Sequence, residues 1–348
     1  MQPERAPRRI VEPDGHVHVG WFDAPIDEPN LAVAPARHWL SGLRGTPLGL
    51  IERGFRRMRL KEWLYVSVVS KHAFFACAVV NAGYLGSAFV YVVERESLRR
   101  HEWSTLVPLG IGVQIAPSST AGETRLERAG WGRITMVGTR RVKLELERPA
   151  LEAEYILEGD LDPVVVVEES EPARWLYTHK CYGLRARGRL RTADFRDETD
   201  RGLAGFDYNR GFRPRETWWH WAAAAGHAVG GATIAFNLTA HRHFDAPRGG
   251  APDALDCALW LDGERVKIDR VEFESAPHAP WRINDADKAV DLSFHPLGER
   301  SENIRLGVLE SRFAQPYGRF EGSLRSPSGR RFELDDVFGV TERHYARW

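Results

Sequence analysis

Beyond Lys61 the chain alternates apolar and polar residues with a period of two. Val142, Leu144 and Leu146 interleave with Lys143 and Glu145, and Ala153, Tyr155, Leu157 and then Val290, Leu292, Phe294 repeat the pattern. Such alternation belongs to a sheet with one wet and one dry face. Asp262-Gly263, between ALWL and ERVKI, is a hairpin signal, and Ser328-Gly329 a weaker one. About fifteen to eighteen candidate strands follow at hairpin intervals, which predicts sandwiches or closed barrels. Helical periodicity is scarce. Between Pro35 and Arg59, the residues Leu40, Leu43, Leu50, Ile51 and Phe55 are spaced to share a face, broken into short pieces by Gly42, Gly45 and Pro47.

Residues 72–93 carry no Asp, Glu, Lys or Arg and are long enough to span a bilayer. Asn81-Ala82-Gly83 interrupts them, and the flanks are β-branched and aromatic. They read as two buried strands and a tight connection, so no transmembrane segment is expected. Residues 164–167 form a buried run that ends in Glu168-Glu169-Ser170-Glu171-Pro172. That acidic stretch is taken as a boundary. It divides the chain into an extension with short helices (1–60), a first β-barrel (61–170) and a second (171–348). A faint repeat supports two similar units. Trp63 and Trp219 lie 156 residues apart, as do Tyr65 and Trp221, and Asn81 and Asn237.

Composition narrows the class. The chain has 348 residues, 43% of them hydrophobic, enough for a sizeable core. Lys plus Arg (48) equals Asp plus Glu (48), which argues against nucleic acid as a partner. The basic runs at 53–59 and 185–191 read as solvated faces. Cys77, Cys181 and Cys257 lack the spacing of a disulfide framework or a zinc site. The N-terminus MQPERAPRRIVEPDG shows no apolar signal-peptide core, so the cytoplasm is the expected compartment. No phosphate-cradling glycine loop and no GxSxG elbow is present.

Candidate chemistry concentrates in residues 205–221, GFDYNRGFRPRETWWHW. Trp219 and Trp221 alternate onto one strand face and Trp218 onto the other. Asp207 reads as an acid on a turn at a barrel rim. It is either a proton donor facing an apolar chamber or a structural cap paired with Arg210. Glu342 and His344 are either an acid–base pair or partners of Arg343 and Arg347, with Trp348 as a plug. Asn81 and Asn237 sit on apolar strands, where a buried amide needs partners; they orient a ligand or tie down a bulge. His241 and His243, with Asp245 behind, and His16 and His18 have strand spacing, but a third ligand is missing, so they read as exposed histidines and no metal is expected.

The Asp207, Asn209, Gly211 … Trp219, Trp221 pattern resembles a motif of the carotenoid hydratases. Those enzymes belong with the tocopherol cyclases to a double-lipocalin-like superfamily. From about Lys61 onward the chain is more similar still to a bacterial family of unassigned activity, domain of unknown function 2804. The resembling segments are KEWLYVSVV, THKCYGLRARG, FDYNRGFRPRETWWHW, ALWLDGERVKIDRVEF, PWRI, SRFAQPYGRFEG and GVTERHYARW. The chain departs from many relatives at Asp256-Cys257, where they carry Glu-Asn, and at Arg343, where they carry Asp. The resemblance implies an all-β chain of two lipocalin-like barrels that bind or transform a hydrophobic molecule without metal or nucleotide. It makes Asp207 the catalytic acid of a cofactor-independent hydratase, cyclase or isomerase acting on a terpenoid, polyketide or lipid-like substrate. Trp63, Tyr65, Asn81, Tyr208, Trp219, Trp221, Asn237, Glu342 and His344 are the substrate-binding candidates. A non-catalytic carrier is the alternative, and a homodimer is entertained as its assembly.

Overall fold

The structure, a computed structural model, describes residues 2–35, 38, 40–242, 256–275, 280–307 and 309–348. The chain is nearly all antiparallel β, with 62% strand against 5% helix, and forms one nearly closed barrel and one half-barrel. Among the described residues one sheet has thirteen strands and the other nine. The strands Ala73–Asn81 and Leu85–Glu94 account for the long uncharged run, and Gly83 adopts φ 84° in the turn between them. Among the described residues no helix is long and apolar enough to cross a membrane.

Both sheets are wound the same way. In the first, Lys61–Val69 opens a meander through Ala73–Asn81, Leu85–Glu94 and Arg100–Pro108. Its other edge pairs with Arg196–Gly211, the last strand of that sheet. In the second, Glu216–His227 opens a meander through Thr233–Arg242, Ala258–Leu261 and Glu264–Lys267. Its other edge pairs with Arg331–Arg347, again the last strand. Trp63 and Trp219 therefore occupy the same topological position. The hydrogen-bonded sheets part between Gly211 and Glu216, later than the acidic stretch at 168–172 suggested. The strands Val164–Glu171, Arg174–Thr192 and Arg196–Gly211 all remain in the first sheet, because the first pairs with Gly20–Phe22 and each of the other two satisfies its backbone on the one before.

Near the N-terminus helix α1 spans Gly49–Arg59, after short 3-10 turns at Leu31–Val33 and Ser41–Leu43. Its expected apolar face is not the buried one. Leu50 is 74% and Ile51 55% exposed, whereas Glu52 is buried. Glu52 is held from within by Arg44 at 2.8 Å, His38 at 3.0 Å and Arg56 at 3.5 Å. Those partners make burial of its charge tolerable and turn the leucine side outward.

Candidate functional site

Alternation along the central strands sends one row of side chains from each sheet into a shared cavity of about 180 Å³. From the first sheet come Trp63 and Tyr65, Thr178 and Lys180, Asp207 and Asn209. From the second come Trp219 and Trp221, Thr239 and His241, Gln315, Glu342 and His344. Two of the three pairs related by the 156-residue spacing meet here. Trp63 stacks on Trp219 with centroids 6.2 Å apart, and Tyr65 meets Trp221 edge-on at 5.4 Å. Arg213 lies 4.4 Å from the Trp63 ring centroid and 5.4 Å from that of Trp219, a cation over two aromatic faces. Burial lowers its pKa to about 10, which leaves it charged at neutral pH.

Asp207 stands within the strand Arg196–Gly211 rather than on a turn, and it pairs across the ladder with Lys180 and Tyr65. The local sequence looks turn-like, but its polar groups find tertiary partners. Asn209 donates its Nδ2 to Asp207 Oδ1. Its own Oδ1 accepts from Thr178 Oγ1 at 2.8 Å and Arg213 Nη2 at 3.1 Å. Arg210 is not the partner of Asp207; it points the other way and bridges Glu62 at 3.1 Å. Lys180 Nζ instead lies 3.0 Å from Asp207 and 2.9 Å from Asp256. Burial works against the Lys180 charge, yet the two carboxylates outweigh it and raise its pKa. Burial raises Asp207 even against Lys180. Burial would also raise Asp256, but Lys180 and His241 draw it down to about 2.

The position equivalent to Asp207 in the second sheet is Glu342. Tyr65 pairs with Asp207 on the last strand of its sheet, and Trp221 pairs with Glu342 on the last strand of the other. Glu342 accepts from Trp219 Nε1 and from Gln315 Nε2, each at 2.8 Å. Gln315 is held by Tyr91, whose hydroxyl donates to its Oε1 at 2.7 Å. A neutral amide thus stands where the first sheet has Lys180. Burial, incompletely offset by these bonds, pushes Glu342 up to about 7. Glu168, also lining the cavity, is pushed to about 7 by burial and Asp256. His344 contacts Ser311 Oγ through Nε2 at 2.9 Å, and burial lowers its pKa to about 3, so it is neutral. Its Nδ1 is 4.0 Å from Glu342, beyond hydrogen-bond reach. Arg343 faces Glu299 and Arg347 faces Glu310. Trp348 lines the cavity and donates to Thr217 Oγ1 at 2.9 Å.

The remaining candidates disperse. Asn237 is buried behind the wall, accepting from Trp221 Nε1 and donating to the Asp256 carbonyl, both at 2.7 Å. Asn81 accepts from Gly83 N–H at 2.9 Å and serves the turn. Tyr208 faces the opposite side of its strand and donates to the Ala116 carbonyl at 2.8 Å. His241 lies on the strand Thr233–Arg242 and lines the cavity; His243 and Asp245 lie outside the described residues. His18 faces Glu12 at 3.1 Å. Among the described residues no group of three His, Cys, Asp or Glu is placed to hold a metal. Cys77, Cys181 and Cys257 are free and buried. Sequence reasoning passed over Lys180, Asp256, Arg213, Glu168 and Gln315. Lys180 carried a signal: in WLYTHKCYGL the alternation places it beside Thr178 and Tyr182 on one face, a lone cation in an aromatic run.

Wound twice over and closed on a shared aromatic cavity, the chain is a nearly all-β protein of one nearly closed barrel and one half-barrel. It belongs to the domain of unknown function 2804 family, whose model matches residues 2–348. No curated protein matches it in sequence. Among solved structures it is similar to a Nitrosomonas europaea protein provisionally named AttH, at 12% identity and TM-score 0.53 over 82% of this chain and 92% of that one. Kievitone hydratase from Nectria haematococca aligns at 9% identity and TM-score 0.46, over 81% and 88%. CghA bound to Sch210972 aligns at 11% and 0.47, over 83% and 88%. At these identities the likeness is one of fold.

Proposed function

We propose that the cavity takes up a hydrophobic terpenoid, polyketide or lipid-like molecule and moves a proton on it, as a cofactor-independent hydratase, cyclase or isomerase. The observation that carries this reading is Glu342, a buried carboxyl that accepts from Trp219 and Gln315 and that, among the described residues, has no charged Lys or Arg bonded to it; burial pushes it up to about 7. A group with that pKa both gives and takes protons at neutral pH, which suits general acid–base catalysis. The Trp63, Trp219 and Trp221 faces would stabilise positive charge that develops on the substrate after protonation. Asp207 is the second acid of the proposal, but its pairing with Lys180 makes it the poorer donor. We assign Lys180 to the polar end of the ligand: of its three donors, two are directed at Asp207 and Asp256.

Native mass spectrometry of protein purified from its own host identifies the retained molecule. That molecule, rebound in heavy water, should gain deuterium at one carbon. Glu342→Gln should retain binding and slow the exchange by about 10²–10⁴-fold. Asp207→Asn should weaken binding more than it slows exchange. Binding without exchange in the unaltered protein would favour the carrier reading, and exchange that survives Glu342→Gln but not Asp207→Asn would return the acid to Asp207.

A further inference from the structure

Helix α1 buries its only acid and displays its apolar side. Leu50, Ile51 and Met58 are exposed together on one side of it, and Leu48 just before it is exposed as well. At helical spacing Arg53 and Arg57, also exposed, flank that side. Glu52, the one acid between Leu40 and Leu60, is turned inward against Arg44, His38 and Arg56. The outward face therefore combines apolar side chains with guanidinium groups and presents no carboxylate.

A second apolar knob lies close by. Leu109 and Ile111 are exposed at the tip of a loop. Leu109 N–H donates to the Tyr84 carbonyl at 2.9 Å, which fastens the loop to the turn between Ala73–Asn81 and Leu85–Glu94. Helix α1 packs on the same turn. Gly83 lies so close to Met58 that a Cβ there would stand 2.3 Å from the Met58 carbonyl oxygen. Lys61 Nζ ties both together, donating to the Met58 and Ala82 carbonyls at 3.0 and 2.7 Å. Ala82, Tyr84 and Leu85 of that turn line the cavity. The helix, through Met58, and the loop, through Leu109, thus both adjoin a turn that lines the chamber.

We propose that this rim docks on an anionic lipid surface, with Leu50, Ile51, Met58, Leu109 and Ile111 entering the interface and Arg53 and Arg57 meeting lipid phosphates. An exposed apolar face edged by arginines is the pattern of a helix that lies in a bilayer interface. Charge selects this occupant, since a helix face that carries Arg53 and Arg57 and no carboxylate of its own complements phosphate. The docking rests on this surface alone and stands or falls separately from the proton chemistry of Glu342.

The test is sedimentation of the whole protein with vesicles of phosphatidylglycerol and phosphatidylcholine, against vesicles of phosphatidylcholine alone. The protein should pellet with the anionic vesicles and be released by salt. The double changes Leu50→Ser with Ile51→Ser, and Arg53→Glu with Arg57→Glu, should each weaken the association by about tenfold or more. All four side chains are exposed, so melting temperatures should not move, which separates lost docking from lost folding. Absence of pelleting, equal pelleting with neutral vesicles, or full pelleting of both variants overturns the proposal. So does a solution dimer that Leu50→Ser with Ile51→Ser splits, which would make the face a contact between two copies.

Discussion

Asp207 and Glu342 occupy equivalent places in two sheets of the same winding, yet a single neighbour separates their chemistry. Beside Asp207 is Lys180; beside Glu342 is Gln315. An adjacent cation favours the ionised form of a carboxyl group, whereas a neutral donor does so only weakly. Gln315→Lys should therefore carry the arrangement of the first sheet into the second. The expected result is a Glu342 pKa that falls from about 7 by about 1–3 units. Carbon-13 titration of labelled carboxyl groups, with Glu342→Gln to assign the signal, measures it. A Glu342 signal that still titrates near neutrality in the variant would mean that burial outweighs the neighbour. His344 needs no such control, because its lowered pKa keeps it neutral throughout.

At the scale of strands, the ladder beneath the site depends on a close approach. Tyr182 pairs with Gly205, and a Cβ on Gly205 would stand 1.9 Å from the Tyr182 ring. The ring, packed near Trp221 and Trp260, cannot move aside. Gly205→Ala should cost about 1–3 kcal/mol by overpacking, read as a lower urea midpoint at unchanged slope. The second sheet repeats the device where Gly298 lies under Tyr317. Much of this architecture was legible beforehand. Strand alternation is visible because one face is dry, and the 156-residue spacing foretold that Trp63 and Trp219 hold equivalent places in two similar units. Other features depended on contacts that no local pattern reveals. The Asp207–Gly211 segment looks like a turn because Asp and Asn bond their own backbone in turns. Thr178, Lys180 and Arg213 supply those bonds from elsewhere and leave it free to be a strand. The acidic stretch at 168–172 looks like a linker, yet Glu168 points into the cavity. In α1 the buried face was decided by Glu52 and its distant partners, and Leu50 and Ile51 were left exposed.

The whole molecule has no formal net charge, so its response to pH is set by individual buried groups rather than by general repulsion. These groups oppose one another. Glu168 and Glu342 are raised to about 7, so the folded chain holds protons that the unfolded chain has released above the usual carboxylate range. Their contribution is present at low pH and is lost as pH rises from about 4.5 through 7. His179 and His344 are lowered to about 3, so the unfolded chain holds the extra protons, and their contribution grows as pH rises from 3 to about 6.5. Between about 4.5 and 6.5 the two pairs have opposite slopes and offset one another. Removing one member exposes the balance. In Glu342→Gln the falling component is gone, so stability relative to the unaltered chain should improve by up to about 3 kcal/mol between pH 4.5 and 8. Urea unfolding at those two pH values measures the change. A difference between the two proteins that stays constant across the interval would show that Glu342 is ionised in the folded chain at acid pH, and would remove both its raised pKa and its place as the proton carrier.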